Sequence, residues 1–142
     1  MIQTIETVVF ALACVVLIGC SGNPAVKVMH GSVTCGGEKA PGGKVTFVPI
    51  EGSPGRICVA PIVGGQYRMD AGGGVPQGKY CVQVDVRKKT GRKIQQFNGV
   101  EKMTADEEVR LGPENYANQH SPLVTKVQAD SDGRFNIAIP SK

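Results

Sequence analysis

The chain has 142 residues, a length that fits one domain, and its formal net charge is +4. Nineteen Gly, nine Pro and no Trp describe a chain divided into short segments, which favours a β-sandwich over a helical bundle. The mild positive charge is compatible with adhesion to anionic polymers, and it is equally an ordinary solubility charge for a small domain.

An apolar run of eleven residues, 8–18, is too short to cross a bilayer as a helix, which takes about 20 residues. The run leads into Leu17-Ile18-Gly19-Cys20, which resembles a bacterial lipobox, and a polar, turn-forming stretch follows. This pattern predicts a lipoprotein signal peptide at 1–19 with Cys20 lipidated. The preceding residues carry Glu6 and no Lys or Arg, unlike most export signals. The alternatives are an apolar first element of the fold and a non-lipidated secretory peptide.

Lipidation at Cys20 makes 20–25 a short tether and 26–142 the folded domain, anchored to a membrane of the cell envelope without spanning it. Loss of 1–19 removes one acidic residue, so sixteen basic against eleven acidic residues give the mature chain a charge of +5. Ser21 stands where an inner-membrane retention signal carries Asp, which favours the outer membrane. The predicted partners are the membrane, through the lipid, and an envelope protein or anionic polymer. Export excludes nucleic acid.

Three cysteines remain once Cys14 is removed with the signal peptide and Cys20 is lipidated: Cys35, Cys58 and Cys81. Outside the cytoplasm, this odd number allows one disulfide with one leftover thiol, or three buried small hydrophobic residues. The spacing does not choose among the pairings. The sequence contains no C-x-x-C motif and no Cys/His cluster, so we expect neither a zinc site nor a thioredoxin-like site.

The folded part is a series of short predicted strands separated by Gly and Pro turns. In the clearest strand, Tyr80 and three valines alternate with Cys81, a glutamine and an aspartate, so one face of the strand belongs to the core. In this register Cys81 points away from that face, toward the rim of the second layer or toward solvent. The earlier predicted strands are 26–35, 44–49, 56–63 and 66–69.

A basic segment follows this strand, and we predict that it is a loop. Its five cations could contact an anionic polymer or lipid headgroups, or simply be solvated. These residues are Arg87, Lys88, Lys89, Arg92 and Lys93. Residues 94–98 are expected to resume a strand, and Thr104 with Glu107 has the spacing of a capping box, which indicates a short helical turn.

The C-terminal part predicts a hairpin, with strands at 123–129 and 135–139 around an Asp130-Ser131-Asp132-Gly133 turn. About seven short strands separated by turn signals predict an all-β fold, an antiparallel β-sandwich. Residues 113–122, bracketed by two prolines, are expected to be irregular.

Three segments occur in an order that resembles the carboxypeptidase-regulatory-like, or transthyretin-like, domains of small planctomycete-type lipoproteins. They are 31–49 (GSVTCGGEKAPGGKVTFVP), 74–80 (GVPQGKY) and 113–127, with its Pro…Tyr-x-Asn…Ser-x-Leu pattern. The ordered matches cover most of 28–139. The resemblance implies an Ig-like sandwich with an accessory role and no catalytic centre of its own.

The remaining chemical candidates are weaker than their ordinary structural explanations. The glycine-rich segment 72–78 leads into a β-type segment, so it is a turn and not a phosphate cradle. His120 and Ser121 are adjacent and read as surface polar residues, and His30 reads as a strand side chain at a face or rim. Asp130 and Asp132 fit a hairpin turn better than a calcium loop. We therefore predict no catalytic residues, no metal and no cofactor.

The sequence as a whole predicts a lipid-anchored envelope protein that acts as a non-catalytic binding or structural module. Two other classes stay open. An envelope hydrolase would need a histidine brought beside a serine or aspartate in a cleft. An architectural assembly component would show an exposed apolar patch or an unpaired edge strand.

Overall fold

The structure is a computed structural model that describes residues 25–142. The predicted signal peptide and Cys20 lie outside the described residues. Within them the secondary structure is almost entirely β, with two 3₁₀ turns at Ala71–Gly73 and Glu114–Ala117. None of the helical segments in this range has the length and apolar character needed to cross a membrane.

Eleven strands occur in the described part of the chain, and most of them are short because glycine turns interrupt the sequence. They are β1 Val26–Lys27, β2 Met29–Cys35, β3 Glu38–Lys39, β4 Gly43–Pro49, β5 Cys58–Pro61, β6 Gln66–Met69, β7 Val75–Pro76, β8 Gly78–Phe97, β9 Lys102–Arg110, β10 Val124–Val127 and β11 Ile137–Ile139.

The strands form a β-sandwich, as predicted. One sheet has the order β10-β8-β4-β5, and β9 pairs with the far half of β8. The other sheet has the order β11-β2-β3, and β6 pairs with the first half of β2. The short strands β1 and β7 pair with each other. All these pairings are antiparallel except β11 with β2, which is parallel.

The core lies between the two sheets and is centred on Phe47 of β4, which is fully buried. Its ring lies 5.9 Å from the ring of Tyr80, 6.3 Å from that of Tyr67 and 6.4 Å from that of Phe135, measured between centroids. Both buried tyrosines keep a hydrogen-bond partner, since the hydroxyl of Tyr80 donates to the Pro76 carbonyl at 2.7 Å and that of Tyr67 to the Phe135 carbonyl at 2.6 Å. The period-two pattern predicted for 80–86 is confirmed, because all four of its apolar residues are buried.

The predicted C-terminal hairpin is wrong. β10 pairs with β8 in one sheet, whereas β11 pairs with β2 in the other, so the segment between them crosses from sheet to sheet. Val127 and Ile137 are both buried and fill the same core from opposite sides. Alternation specifies which residues face the core, and it does not specify which strand is the neighbour.

Candidate interaction surface

A two-stranded ribbon, residues 87–110, extends beyond the rest of the first sheet, and we call it the arm. β4 pairs with β8 only as far as Val86, and β10 pairs only with residues 78–81. From Arg87 to Phe97, the strand paired with β8 in the described chain is β9. At the far end Asn98 closes the turn, because its side-chain oxygen accepts hydrogen bonds from the backbone N–H groups of Val100 at 2.9 Å and Glu101 at 2.8 Å.

The arm corrects two predictions. The basic segment 87–93 is not a loop but part of β8, and residues 104–107 are not a helical turn but part of β9. Basic residues face acidic ones in the ribbon, as Lys89 pairs with Glu108 and Lys93 with Asp106. The signal for this hairpin was the Asn98-Gly99 dipeptide between two segments of opposite charge. The capping-box spacing was satisfied by chance.

Ion pairs engage four of the five cations that the sequence suggested for anionic contacts. Lys89 Nζ lies 2.9 Å from a carboxylate oxygen of Asp106, which also pairs with Lys93, and Arg92 lies 2.9 Å from Glu107. The hydrogen bonds from Lys93 and Lys89, with their charges, lower the pKa of Asp106 to about 2. Arg87 pairs with Asp85. Within residues 25–142, Lys88 is the one member of the set that lacks an ion pair.

The root of the arm is held to the sandwich by Asp85, whose side chain is only 11% exposed. Its two oxygens accept hydrogen bonds from Arg87 Nε at 2.8 Å and Arg110 Nε at 3.0 Å, so one carboxylate ties both strands of the arm together. Burial acts to raise the pKa of Asp85, but the hydrogen bonds and charges of the two arginines outweigh it and hold the pKa below its usual range. The Leu111 N–H also donates to the Val86 carbonyl at 3.0 Å.

Three apolar side chains are exposed at the tip of the arm, beside the exposed polar residues Asn98, Glu101 and Lys102. Phe97 is 69% exposed, Val100 84% and Met103 55%. Phe97 is paired with Lys102, and Gln96 is paired with Met103, so Phe97 and Met103 lie on opposite faces of the ribbon, with Val100 on the turn between them. Single exposed apolar residues are ordinary on protein surfaces, but here three are grouped at one tip, where another molecule can contact them.

The arm and the start of the described chain lie at opposite ends of β8. The Gln77 N–H donates to the Ala25 carbonyl at 3.0 Å, and β8 begins at Gly78. The strand has 20 residues, and at about 3.3 Å per residue its path to Phe97 is about 65 Å long. Ala25, the first described residue, therefore lies at the end of β8 away from the tip.

No protein-family model, curated protein or solved structure matches this chain. The resemblance to carboxypeptidase-regulatory-like domains therefore stays a prediction, and the candidate sites are judged on their geometry.

The three cysteines of the domain are free thiols, which corresponds to the alternative without a disulfide. Cys35 and Cys81 are buried and Cys58 is half-buried. Burial raises the pKa of each of the three thiols, which makes them weak nucleophiles. Cys81 faces away from the main core, as predicted, but it is neither at a rim nor accessible, because the chain around Ser121 covers it. Its thiol donates to the Ser121 carbonyl at 3.7 Å.

Ser121 is also buried, so its prediction as a surface residue is wrong. Its hydroxyl donates to the Val82 carbonyl at 2.5 Å and thereby joins the covering segment to β8. A hydroxyl held in this way serves the fold and is not presented to a substrate. The predicted turn at Asp132 is supported by a hydrogen bond, since its carboxylate accepts from the Arg134 N–H at 2.9 Å. Within 25–142 no three His, Cys, Asp or Glu residues are grouped so as to hold a metal ion.

A second surface of interest is the edge strand β5. Its outward side chain Val59 is 52% exposed, and Ile57 and Val63, which flank the strand, are 62% and 71% exposed, while the alternate residues Ala60 and Ile62 are buried. The strand partner of β5 among the described residues is β4, so β5 is an edge strand of the first sheet. Within this range its other edge is unpaired, and exposed apolar side chains lie beside it.

Proposed function

We propose that the protein is a lipid-anchored, non-catalytic binding module of the cell envelope, and that the tip of the arm holds a partner protein. The observation that carries the proposal is an apolar tip on a ribbon whose root is tied to the sandwich by Asp85. A ribbon held in this way loses little conformational freedom on binding, which favours affinity.

A partner protein fits the tip better than the anchoring membrane does. A lipid on Cys20 holds the protein by the end of β8 that lies away from the tip, so the arm points away from that bilayer. Phe97 and Met103 lie on opposite faces of the arm and Val100 lies on the turn. A cleft in a partner protein would bury all three side chains at once. Burying Phe97 and Val100 in such a cleft would contribute about 1.5–3 kcal/mol for each side chain.

An anionic polymer fits the arm less well than the sequence suggested. Four of the five cations already have carboxylate partners, and a polyanion would have to displace them. Among the described residues of the arm, Lys88 and Lys102 are the cations without an ion pair, so the arm offers a polyanion little unpaired positive charge. We therefore propose that the contact is at Phe97 and Val100, whereas Lys89, Arg92 and Lys93 pair with carboxylates of the opposite strand.

Crosslinking in intact cells tests the arm. A photo-crosslinking amino acid at position 100 should attach to one protein species, identified by mass spectrometry, and Phe97→Ser should abolish that product. The control is the same crosslinker at position 124, because Val124 is also an exposed valine, at 47%, but lies on β10 of the sandwich, away from the arm and from β5. Equal products from positions 124 and 100, products with lipid alone, or no product would refute the arm as the contact.

The anchoring part of the proposal has its own test. Cys20→Ser should leave an unlipidated protein of precursor size that no longer labels with fatty acid. Normal labelling and normal membrane fractionation of this variant would show that the lipobox interpretation is wrong, whatever the crosslinking shows.

Assembly through β5 is the second candidate function, because the structure shows the exposed apolar edge strand that an architectural component would have. In this case a second copy would pair with β5 and extend the sheet. Sedimentation should then show a concentration-dependent dimer that Val59→Lys abolishes and Val100→Lys does not. A monomer at all concentrations would exclude this candidate.

A further inference from the structure

A polar groove of about 430 Å³ lies on the outer face of the second sheet, away from the arm. Met29 and Val33 of β2 point into the core, so His30 and Ser32 point outward. The strand register places Arg68 of β6 directly opposite His30, and Arg134 bridges to His30 from the other side. Three segments far apart in sequence thus place His30 between Arg68 and Arg134, and all three residues line the groove.

The backbone holds one wall of this groove in place. The His30 N–H donates to the Gly133 carbonyl and the Phe135 N–H donates to the His30 carbonyl, both at 2.9 Å. A Cβ atom on Gly31 would lie 2.3 Å from the Phe135 carbonyl oxygen, so the close approach of the two segments requires glycine there. The buried Tyr67 hydroxyl donates to the same carbonyl at 2.6 Å. Arg134 is therefore carried on a fixed backbone.

The groove is rich in hydrogen-bond donors. The side-chain oxygen of Asn136 accepts from the Ser32 N–H at 3.1 Å, which leaves the Nδ2 group of Asn136 as a donor. Arginine side chains only donate, and their fork matches the oxygens of an oxyanion. Arg134 has no ion pair within the described residues. Arg68 has one, with Asp70 at 3.5 Å, but both side chains are more than 60% exposed.

The acidic groups beside the groove are Asp70 and Asp132. The Asp132 carboxylate is engaged by the Arg134 N–H, and that hydrogen bond, with the charges of Arg134 and His30, outweighs the small effect of burial and lowers its pKa. Asp70 holds Arg68 only through a long, solvated contact that a ligand can displace. The unsatisfied groups in the groove are therefore mainly donors, and a ligand must supply acceptors.

We infer that this groove binds an oxyanion, a carboxylate or phosphate group of a small ligand, between Arg68 and Arg134 with Asn136 donating a further hydrogen bond. The site is independent of the arm, so the module has two binding surfaces of different chemistry. The sequence did not indicate it, because its residues come from β2, β6 and the segment that precedes β11, and they form no motif.

The test is a titration of the full-length protein in detergent with inorganic phosphate and, separately, with acetate at constant ionic strength. The readout is the NMR signals of the arginine Nε–H groups and of the His30 and Asn136 amides. We expect saturable shifts at these residues, and Arg134→Gln should raise the dissociation constant by about tenfold or more. The anion with the lower dissociation constant shows whether the groove prefers a phosphate or a carboxylate group.

Lys88→Gln is the matched control, because it removes one exposed charge that has no ion pair and lies on the arm. It should leave the dissociation constant unchanged. If Arg134→Gln disturbs the fold, seen as shifted Val33 and Ile137 amides, then Arg68→Gln decides the question. Absence of saturable binding by both anions, or equal weakening by Lys88→Gln, would refute the site.

Discussion

Asp85→Asn should loosen the root of the arm. The substitution keeps the size of the side chain but removes the charge that two arginines share, and it places an amide N–H group against one of them. Hydrogen bonds to charged groups contribute about 1.5–3 kcal/mol, whereas exposed ion pairs contribute about 0–1 kcal/mol. The side chains of Arg87 and Arg110 are 37% and 27% exposed. We therefore expect a loss of about 2 kcal/mol in the free energy of unfolding at pH 7.

The effect should depend on pH. The arginines hold the pKa of folded Asp85 below that of the unfolded chain, although burial acts in the opposite direction. A depressed pKa stabilises the fold fully above the unfolded value of about 3.9, and this stabilisation is lost as the pH falls through the folded pKa. The difference between wild type and Asp85→Asn should therefore be largest at pH 7 and shrink steadily below about pH 4.

Urea unfolding followed by circular dichroism measures this difference, since the chain has no Trp and urea does not screen charges. Asp70→Asn is the control, because the Asp70 ion pair with Arg68 is long and both side chains are exposed. It should cost about 0.5 kcal/mol or less. An Asp85→Asn difference that is absent at pH 7, or identical at pH 7 and pH 2.5, would show that the carboxylate does not act through its ion pairs.

Two further predictions concern the sandwich itself. Gly43→Ala should lower the free energy of unfolding in urea by about 3 kcal/mol or more. The added Cβ would lie 1.8 Å from the Asp85 carbonyl oxygen, and the φ of Gly43 is +115°. An unfolding midpoint equal to that of the wild type would contradict this geometry. Thiol counting under denaturing, non-reducing conditions should find Cys35, Cys58 and Cys81 all free, and Cys58 should react first in the folded protein. A count of one free thiol in place of three would show that two of these cysteines form a disulfide.

The sequence predicted the β-sandwich and much of its core correctly, because the relevant signals are local. The alternation from Tyr80 to Val86 identifies a strand with one buried face, and glycines mark turns between the strands because they adopt positive φ angles readily. These properties depend on neighbouring residues alone. The errors in the arm also have local causes, because a cluster of basic residues is typical of a loop, and Thr104 and Glu107 have the spacing of a capping box although they lie in a strand.

Only the tertiary structure decided which segments meet. Cys81 is buried because a segment about 40 residues further along the chain covers it. The parallel pairing of β11 with β2 joins segments that are about 100 residues apart in sequence. The polar groove likewise needs Arg68 and Arg134 brought to either side of His30. The alternation of apolar residues and the turn-forming residues show whether each position prefers the core or solvent. Contacts between distant segments depend instead on how the whole chain packs.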